Sequence, residues 1–151
     1  MARRMSPERE REYKELGDYL GFFWTHVMGA DPNDPIHPSN VGNQIAARFG
    51  RSKALDGLKQ AVNDSVEMLC DSPPAQIEEL DDALRKQGFL TFSEIRRRYS
   101  SSYKRILKHK RIKTETEYYL IAGVLADVSS NADKDERSEL EQLIAEYSVN
   151  A

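Results

Sequence analysis

The sequence contains few cysteines and no long apolar run, which limits disulfides, reactive thiols and membrane-spanning helices. Cys70 is the single cysteine among 151 residues, so no internal disulfide can form, and a lone thiol is typical of the reducing cytosol. The longest uncharged apolar run, 118–126, falls far short of the roughly 20 residues that a membrane-spanning helix requires. Residues 1–8 contain basic side chains but no apolar core, unlike a secretory signal. We therefore expect a cytoplasmic protein that does not enter a membrane.

Motifs of common enzyme and metal sites are also absent. No Walker loop, glycine-rich dinucleotide loop, HExxH, GxSxG or paired CxxC is present. Cys70 is predicted at a helix end beside Asp71, where the helix dipole and the carboxylate disfavour a thiolate. Asp31, Asp34 and His37 could converge on a metal ion, but aspartates beside prolines are typical of turns. We expect no catalytic residue, metal or cofactor, and an enzyme assembled from distant residues is the least favoured class.

Apolar residues recur at helical spacing along nearly the whole chain, and no convincing strand alternation is found. This pattern predicts an all-α fold, a compact bundle of about six to seven helices in one domain spanning residues 1–151. The alternative is a subdivision near Pro73-Pro74, where the double proline breaks the chain; each half would then have only about 70–80 residues and a thin core. Helix starts are predicted at Ser6-Pro7, at Ser39, at about Ser52, after Pro74, at Thr91, at Thr114 and after Asp133.

The fifth predicted helix, from Thr91 to about Lys110, has a weak point at Ser100-Ser101-Ser102, because serine competes for helical hydrogen bonds. Residues 93–99, the serine turn and residues 103–107 resemble a helix-turn-helix over about 20 positions. The resemblance implies nucleic-acid binding by a degenerate motif at about 93–109. Three positions depart from the pattern: Arg96 where a small residue is expected, Ser100 in place of the turn glycine, and His109 at an apolar position.

The net charge of −3 conceals a strong segregation of charge. Between Arg85 and Lys113 there are 11 basic residues and one acidic residue, Glu94, whereas the remainder has 11 basic and 24 acidic residues. A helical projection places a set of cations opposite the apolar stripe: Arg97, Arg98, Lys104, Arg105 and Lys108, extended by Arg111. Such a face attracts an acidic protein or a phosphate backbone. The alternative is pairing with the chain's own carboxylates, although exposed ion pairs contribute only about 0–1 kcal/mol each.

The first helix supplies a second candidate contact, because it holds five of the 13 aromatic residues. Phe22 projects onto its polar face and is either covered by the proline-rich segment 31–38 or exposed as an anchor for a partner or a second subunit. We predict a non-enzymatic protein-interaction or regulatory module, such as a small bacterial regulator, antitoxin or immunity-type protein. Its surface would combine the basic residues with aromatic residues of the first helix, Phe22 in particular, to bind an acidic protein. Nucleic-acid binding is the alternative function, and a homodimer is the alternative use of Phe22.

Overall fold

A computed structural model describes residues 5–150 of the chain. Within this range there are eight α-helices, one π-helical turn and no strand, which confirms the all-α prediction. The predicted absence of a secretory signal concerns residues 1–8, of which 1–4 lie outside the described range. The helices are α1 (Pro7–Phe22), α2 (Pro38–Phe49), α3 (Arg51–Met68), α4 (Pro74–Lys86), α5 (Phe92–Tyr99), α6 (Ser101–His109), α7 (Glu115–Ala126) and α8 (Lys134–Asn150), with the π-helical turn at Phe23–Val27.

The helices form two compact units, one ending at Glu67 and the other beginning at Met68. The first contains α1, α2 and nearly all of α3, and the second contains α4 to α8. The alternative boundary expected from the sequence, Pro73-Pro74, lies a few residues farther along the chain.

The first unit begins as its capping residues predict. The Oγ atom of Ser6 accepts a hydrogen bond from the Arg9 N–H (3.3 Å), and Pro7 occupies the first turn, where a missing N–H leaves no bond unmade. The apolar stripe of α1, including Leu16, is buried in the core of this unit. The buried hydroxyl of Tyr19 lies 2.8 Å from Ser65 Oγ on α3, which joins the two helices by a polar contact.

The second unit is organised around α7. This helix is apolar on most of its circumference, as predicted for a central helix, and it packs against α4, α5, α6 and α8. One hydrophobic cluster in the core of this unit consists of Tyr103, Ile106, Ile112, Leu120, Ile121, Val124, Leu140 and Leu143. Neither α7 nor any other helix within residues 5–150 has both the length and the hydrophobicity to cross a membrane.

The long helix expected from Thr91 to Lys110 is two helices, because it breaks at the predicted serine run. Ser100 is extended (φ −70°, ψ 123°), its N–H donates to the Arg96 carbonyl (2.9 Å), and its Oγ accepts from the Tyr103 N–H (3.1 Å). A single residue therefore ends α5 and caps α6. A helix-turn-helix has a turn of about three to four residues, so this junction is shorter than that motif requires.

Candidate functional site

The predicted basic surface divides at Ser100. Before it, Arg97 and Arg98 on α5 are half-buried and bound to carboxylates of the same unit. After it, Lys104, Arg105 and Lys108 on α6 are exposed, and so is Arg111 in the turn that follows. The six residues expected to share one solvent-facing surface thus belong to two different environments.

Arg97 and Arg98 surround the buried carboxylate of Glu94, which is 2% exposed. Glu94 accepts hydrogen bonds from Arg97 Nη2 (2.7 Å), Arg98 Nε (2.6 Å) and the Asn131 N–H (3.2 Å). Burial by itself raises the pKa of Glu94, but the hydrogen bonds from the two arginines and Asn131 outweigh it and hold the pKa below its usual value. The sequence-based projection placed both arginines toward solvent; instead Arg97 Nη1 also reaches Glu136 on α8 (3.0 Å).

Two further arginines between residues 85 and 113 make contacts within the second unit. Arg85 binds Asp82 (2.7 Å) and the buried carboxylate of Asp127 (2.8 Å). Arg96 donates through Nη2 to the Leu69 carbonyl (3.0 Å), and its guanidinium lies 4.6 Å from the centre of the Phe92 ring. Pairing with the chain's own carboxylates, the alternative considered from the sequence, therefore accounts for Arg85, Arg97 and Arg98. Arg96 is instead held by a backbone carbonyl and an aromatic ring.

Asp127 is the second buried carboxylate of the unit and the C-cap of α7. Thr91 Oγ1, which caps α5, donates to it at 2.6 Å, and Ser129 donates through its N–H (3.1 Å) and its hydroxyl (2.8 Å). Burial raises the pKa of Asp127, but the hydrogen bonds from Thr91, Arg85 and Ser129 outweigh it, so the pKa is lowered overall. The caps of α5 and α7 are thereby linked.

The cations after Ser100 form an exposed group that we call the basic face. It consists of Lys104, Arg105, Lys108, Lys110, Arg111 and Lys113, all exposed. On α6 the cations occupy the side opposite the buried Tyr103 and Ile106. Within residues 5–150, none of the six is in an ion pair with a carboxylate.

The end of α6 brings several of these charges together. Lys110 has a left-handed backbone (φ 53°) that ends α6 and turns the chain back toward the core. Arg105, Arg111 and Lys113 then border one shallow hollow together with His109. The carboxylate of Glu117 also borders this hollow, where it accepts the Lys113 N–H (2.8 Å).

The basic face contains no large apolar anchor among the described residues. In segment 101–113, Tyr103, Ile106 and Ile112 are buried and Leu107 is half-buried. The exposed residues of this segment are Ser101, His109 and the six cations of the basic face.

Phe22 is half-buried and does not project as an isolated exposed ring. It stacks on His26, with ring centres 4.3 Å apart and planes inclined by 30°. Its accessibility thus lies between the two sequence-based expectations, an exposed anchor and complete coverage.

The proline-rich segment is built from turns. Asp31 accepts the Asn33 N–H (2.9 Å) and Asp34 accepts the Ile36 N–H (3.0 Å), as aspartates in turns do. His37 is buried and caps α2, since its Nδ1 accepts the Ser39 N–H (3.2 Å). No group of three or more His, Cys, Asp or Glu side chains in the described part of the chain is placed to hold a metal ion.

Sequence reasoning missed a cavity of about 430 Å³ in the second unit, whose walls come from α4 and α7. Two buried carboxylates, Asp81 and Asp127, reach this cavity. The small residues Ala122, Gly123 and Ala126 along one side of α7 were the available signal. Their meaning depends on which helix faces them, and the sequence does not show that.

No protein-family model, curated protein or solved structure matches this chain.

Proposed function

We propose that this chain is a non-enzymatic binding module that holds the phosphate backbone of a nucleic acid on the basic face. The observation that carries the proposal is the group of six exposed cations in ten residues, none of them in an ion pair within residues 5–150. Clustered lysines and arginines bind phosphates and release condensed counterions, which is the main source of sequence-independent affinity.

Folding does not account for these cations. Arg85, Arg97 and Arg98 bind carboxylates of the same unit, whereas the charges of the basic face are directed to solvent. Exposed like charges that lie close together repel each other and do not stabilise the fold. A binding role accounts for the concentration of these charges on α6 and the turn after it.

The composition of the basic face favours a nucleic acid over a protein as the partner. The centres of protein interfaces are depleted of charged residues and enriched in aromatic side chains. The large apolar residues of segment 101–113 are buried or half-buried, and Phe22 is occupied by its stacking on His26. Contacts to a phosphate backbone need no such anchor, because they are made by cations and hydroxyl groups.

An acidic protein is the second candidate partner. The observation that favours it is the presence of exposed carboxylates on α8, including Asp135, Glu141 and Glu146, which would repel a long polyanion. A contact with a compact acidic surface would escape this repulsion and would be formed rapidly by electrostatic attraction.

The partner can be identified by titrating three fluorescent probes: a duplex DNA, an RNA hairpin and a glutamate-rich peptide. Fluorescence anisotropy at several salt concentrations gives the affinity and its salt dependence. If all six cations contact phosphates of a duplex, the slope of log K against log salt should be about −5. Tighter binding of the peptide than of either nucleic acid would select the acidic protein instead.

A matched pair of variants tests the surface. The triple variant Lys104→Gln, Arg105→Gln, Lys108→Gln should reduce DNA affinity at least tenfold and make the salt slope less negative by about 3. The control Arg11→Gln, Lys53→Gln, Lys134→Gln removes the same charge from other exposed positions and should retain most of the affinity. Equal losses in the two variants, or no DNA binding at low salt, would contradict the proposal.

A further inference from the structure

The groove between α4 and α7 has the size of a ligand site. Its cavity of about 430 Å³ has Ile77 and Asp81 on the α4 side, and Tyr119, Ala122 and Ala126 on the α7 side. Small-molecule pockets in proteins have volumes of about 300–1,000 Å³. The residues of the basic face do not line this cavity in the described part of the chain, so the groove is a separate feature.

The groove stays open because α7 presents small side chains to it. Ala122, Gly123 and Ala126 follow one side of the helix and line the groove beside the larger Tyr119. A Cβ atom added to Gly123 would meet Ser93 Oγ at 3.7 Å, an ordinary contact, so close packing does not require glycine there.

The lining of the groove is strongly acidic. Arg85 and Arg96 are its only guanidinium groups among the described residues, and Arg85 is shared by Asp82 and Asp127. Five carboxylates against two guanidinium groups leave a formal charge of −3. The carboxylates are those of Asp71, Glu78, Asp81, Asp82 and Asp127.

Asp81 is a buried carboxylate of this lining that forms no ion pair within residues 5–150. It is 4% exposed, and its oxygens accept the Ser93 N–H (3.0 Å) and the Ser93 hydroxyl (2.5 Å). Burial raises its pKa, and the bonds from Ser93 partly oppose this. The negative charge of Asp127 raises the pKa further, and the positive charge of Arg85 lowers it, so the pKa is raised overall. Each carboxylate oxygen has a second lone pair, so Asp81 can still accept a hydrogen bond from a cationic donor.

We propose that this groove binds a small organic cation, a protonated amine on an apolar body. The amine is placed toward Asp81, and the apolar body lies between Ile77 and the small residues of α7. An organic anion of the same shape is disfavoured by the surplus of carboxylates. The site is independent of the basic face, so it holds whether or not the chain binds a nucleic acid.

Three probes of one shape test the charge preference: 4-phenylbutylamine, 4-phenylbutanol and 4-phenylbutyrate. Binding to the full chain is followed by calorimetry and by chemical-shift changes of alanine and isoleucine methyl groups. We expect the amine to bind at least about tenfold more tightly than the alcohol, and the carboxylate most weakly. Shift changes should centre on Ile77 and Ala122. Equal affinity of the three probes, or no binding of the amine, would overturn the proposal.

Two cavity-filling variants test the location. Ala122→Leu extends a side chain into the groove and should abolish amine binding. Ala61→Leu, which places the same change in the cavity of about 390 Å³ in the first unit, should leave it unchanged. Amine binding that survives Ala122→Leu would show that the groove is not the site.

Charge-removing variants test the role of the carboxylates. Asp81→Asn should lower the affinity for the amine at least about tenfold, because it removes the negative charge. The affinity for the alcohol should change little. If Asp81→Asn does not fold, Glu78→Gln at the exposed rim gives the same comparison with a smaller expected loss. Equal weakening of the amine and the alcohol in both variants would contradict a charge-based role.

Discussion

The Nη1 atom of Arg97 lies 3.0 Å from Oε1 of Glu136, a residue 39 positions farther along the chain. The side chains are 17% and 22% exposed, so the pair is largely shielded from water. Through its other nitrogens Arg97 binds Glu94, and α5 is thereby fastened to the first turn of α8. Arg97, which the sequence analysis placed on the solvent-facing basic surface, thus joins two helices through ion pairs.

Glu94 should be the most sensitive charged residue of the second unit. Glu94→Gln removes the buried anion that Arg97 and Arg98 share. Breaking a buried ion pair costs about 3–5 kcal/mol, and we expect a loss of this size in the free energy of unfolding by urea. Glu141→Gln, on an exposed position of α8, is the control and should have no measurable effect.

The same carboxylate should give the protein a sensitivity to acid. The folded-state pKa values of Glu94 and Asp127 are lowered, so their stabilisation is complete above the unfolded pKa of about 4 and is lost as the pH falls through the folded value. The raised pKa of Asp81 acts in the opposite sense and offsets part of this loss.

Urea unfolding between pH 6 and 2 measures this dependence. The difference in stability between the native chain and Glu94→Gln should shrink as the pH falls below about 4. A difference that is constant across the series would exclude Glu94 as a source of the acid sensitivity.

Tyr103 should contribute through its hydroxyl. The buried hydroxyl donates to the Glu136 carboxylate, and burial together with this bond raises the pKa of Tyr103. Hydrogen bonds to charged groups contribute about 1.5–3 kcal/mol, so Tyr103→Phe should lower the free energy of unfolding by that amount. Tyr119→Phe removes the comparable but exposed bond to Glu115 (2.8 Å) and should be nearly neutral. Equal effects of the two substitutions would contradict the role of burial.

Ser100 should contribute to the stability of the fold, because it ends α5 and caps α6. Ser100→Ala removes the hydroxyl that accepts the Tyr103 N–H, and the loss of an N-cap costs about 1 kcal/mol. The neighbouring exposed Ser101 gives a control, since Ser101→Ala retains the cap and introduces a better helix former. Thermal unfolding should therefore show a lower Tm for Ser100→Ala alone.

Lys110 adopts a backbone conformation that disfavours its own side chain. A non-glycine residue in the left-handed region costs about 1–2 kcal/mol, so Lys110→Gly should stabilise the chain by about 1 kcal/mol. Lys108→Gly removes the same charge from within α6 and should destabilise by about 1 kcal/mol. Urea unfolding of both variants distinguishes backbone strain from charge. If relief of charge repulsion were the cause, both substitutions would raise the free energy of unfolding.

Local features of the fold could be predicted because they are encoded within a few residues. Ser6, Thr91 and Thr114 were expected to begin helices, and each accepts the N–H three residues ahead. The serine run was expected to weaken a long helix, and Ser100 breaks it. These outcomes depend on short-range hydrogen bonds and on backbone preferences, which the sequence displays directly.

Features that depend on distant residues could not be predicted in the same way. The partner that keeps Arg97 from solvent, Glu136, belongs to a helix whose position is set by packing on α7. Glu94 stands three residues after the N-cap Thr91, a spacing at which a glutamate side chain often bonds back to the cap, but its carboxylate is bound by the two arginines and Asn131. Helical projection identifies which residues share a face and does not show what covers that face.

The ten residues from Lys104 to Lys113 contain six cations and no acidic residue. This segment is therefore strongly positive although the net charge of the chain is negative. Ion exchange usually follows net charge, and a chain with a pI of about 5.7 should pass through a cation-exchange matrix at neutral pH. A matrix, however, acts on the surface nearest to it, because screening limits the field to about 10 Å at 0.1 M salt. The protein should therefore adsorb to negatively charged matrices through the basic face.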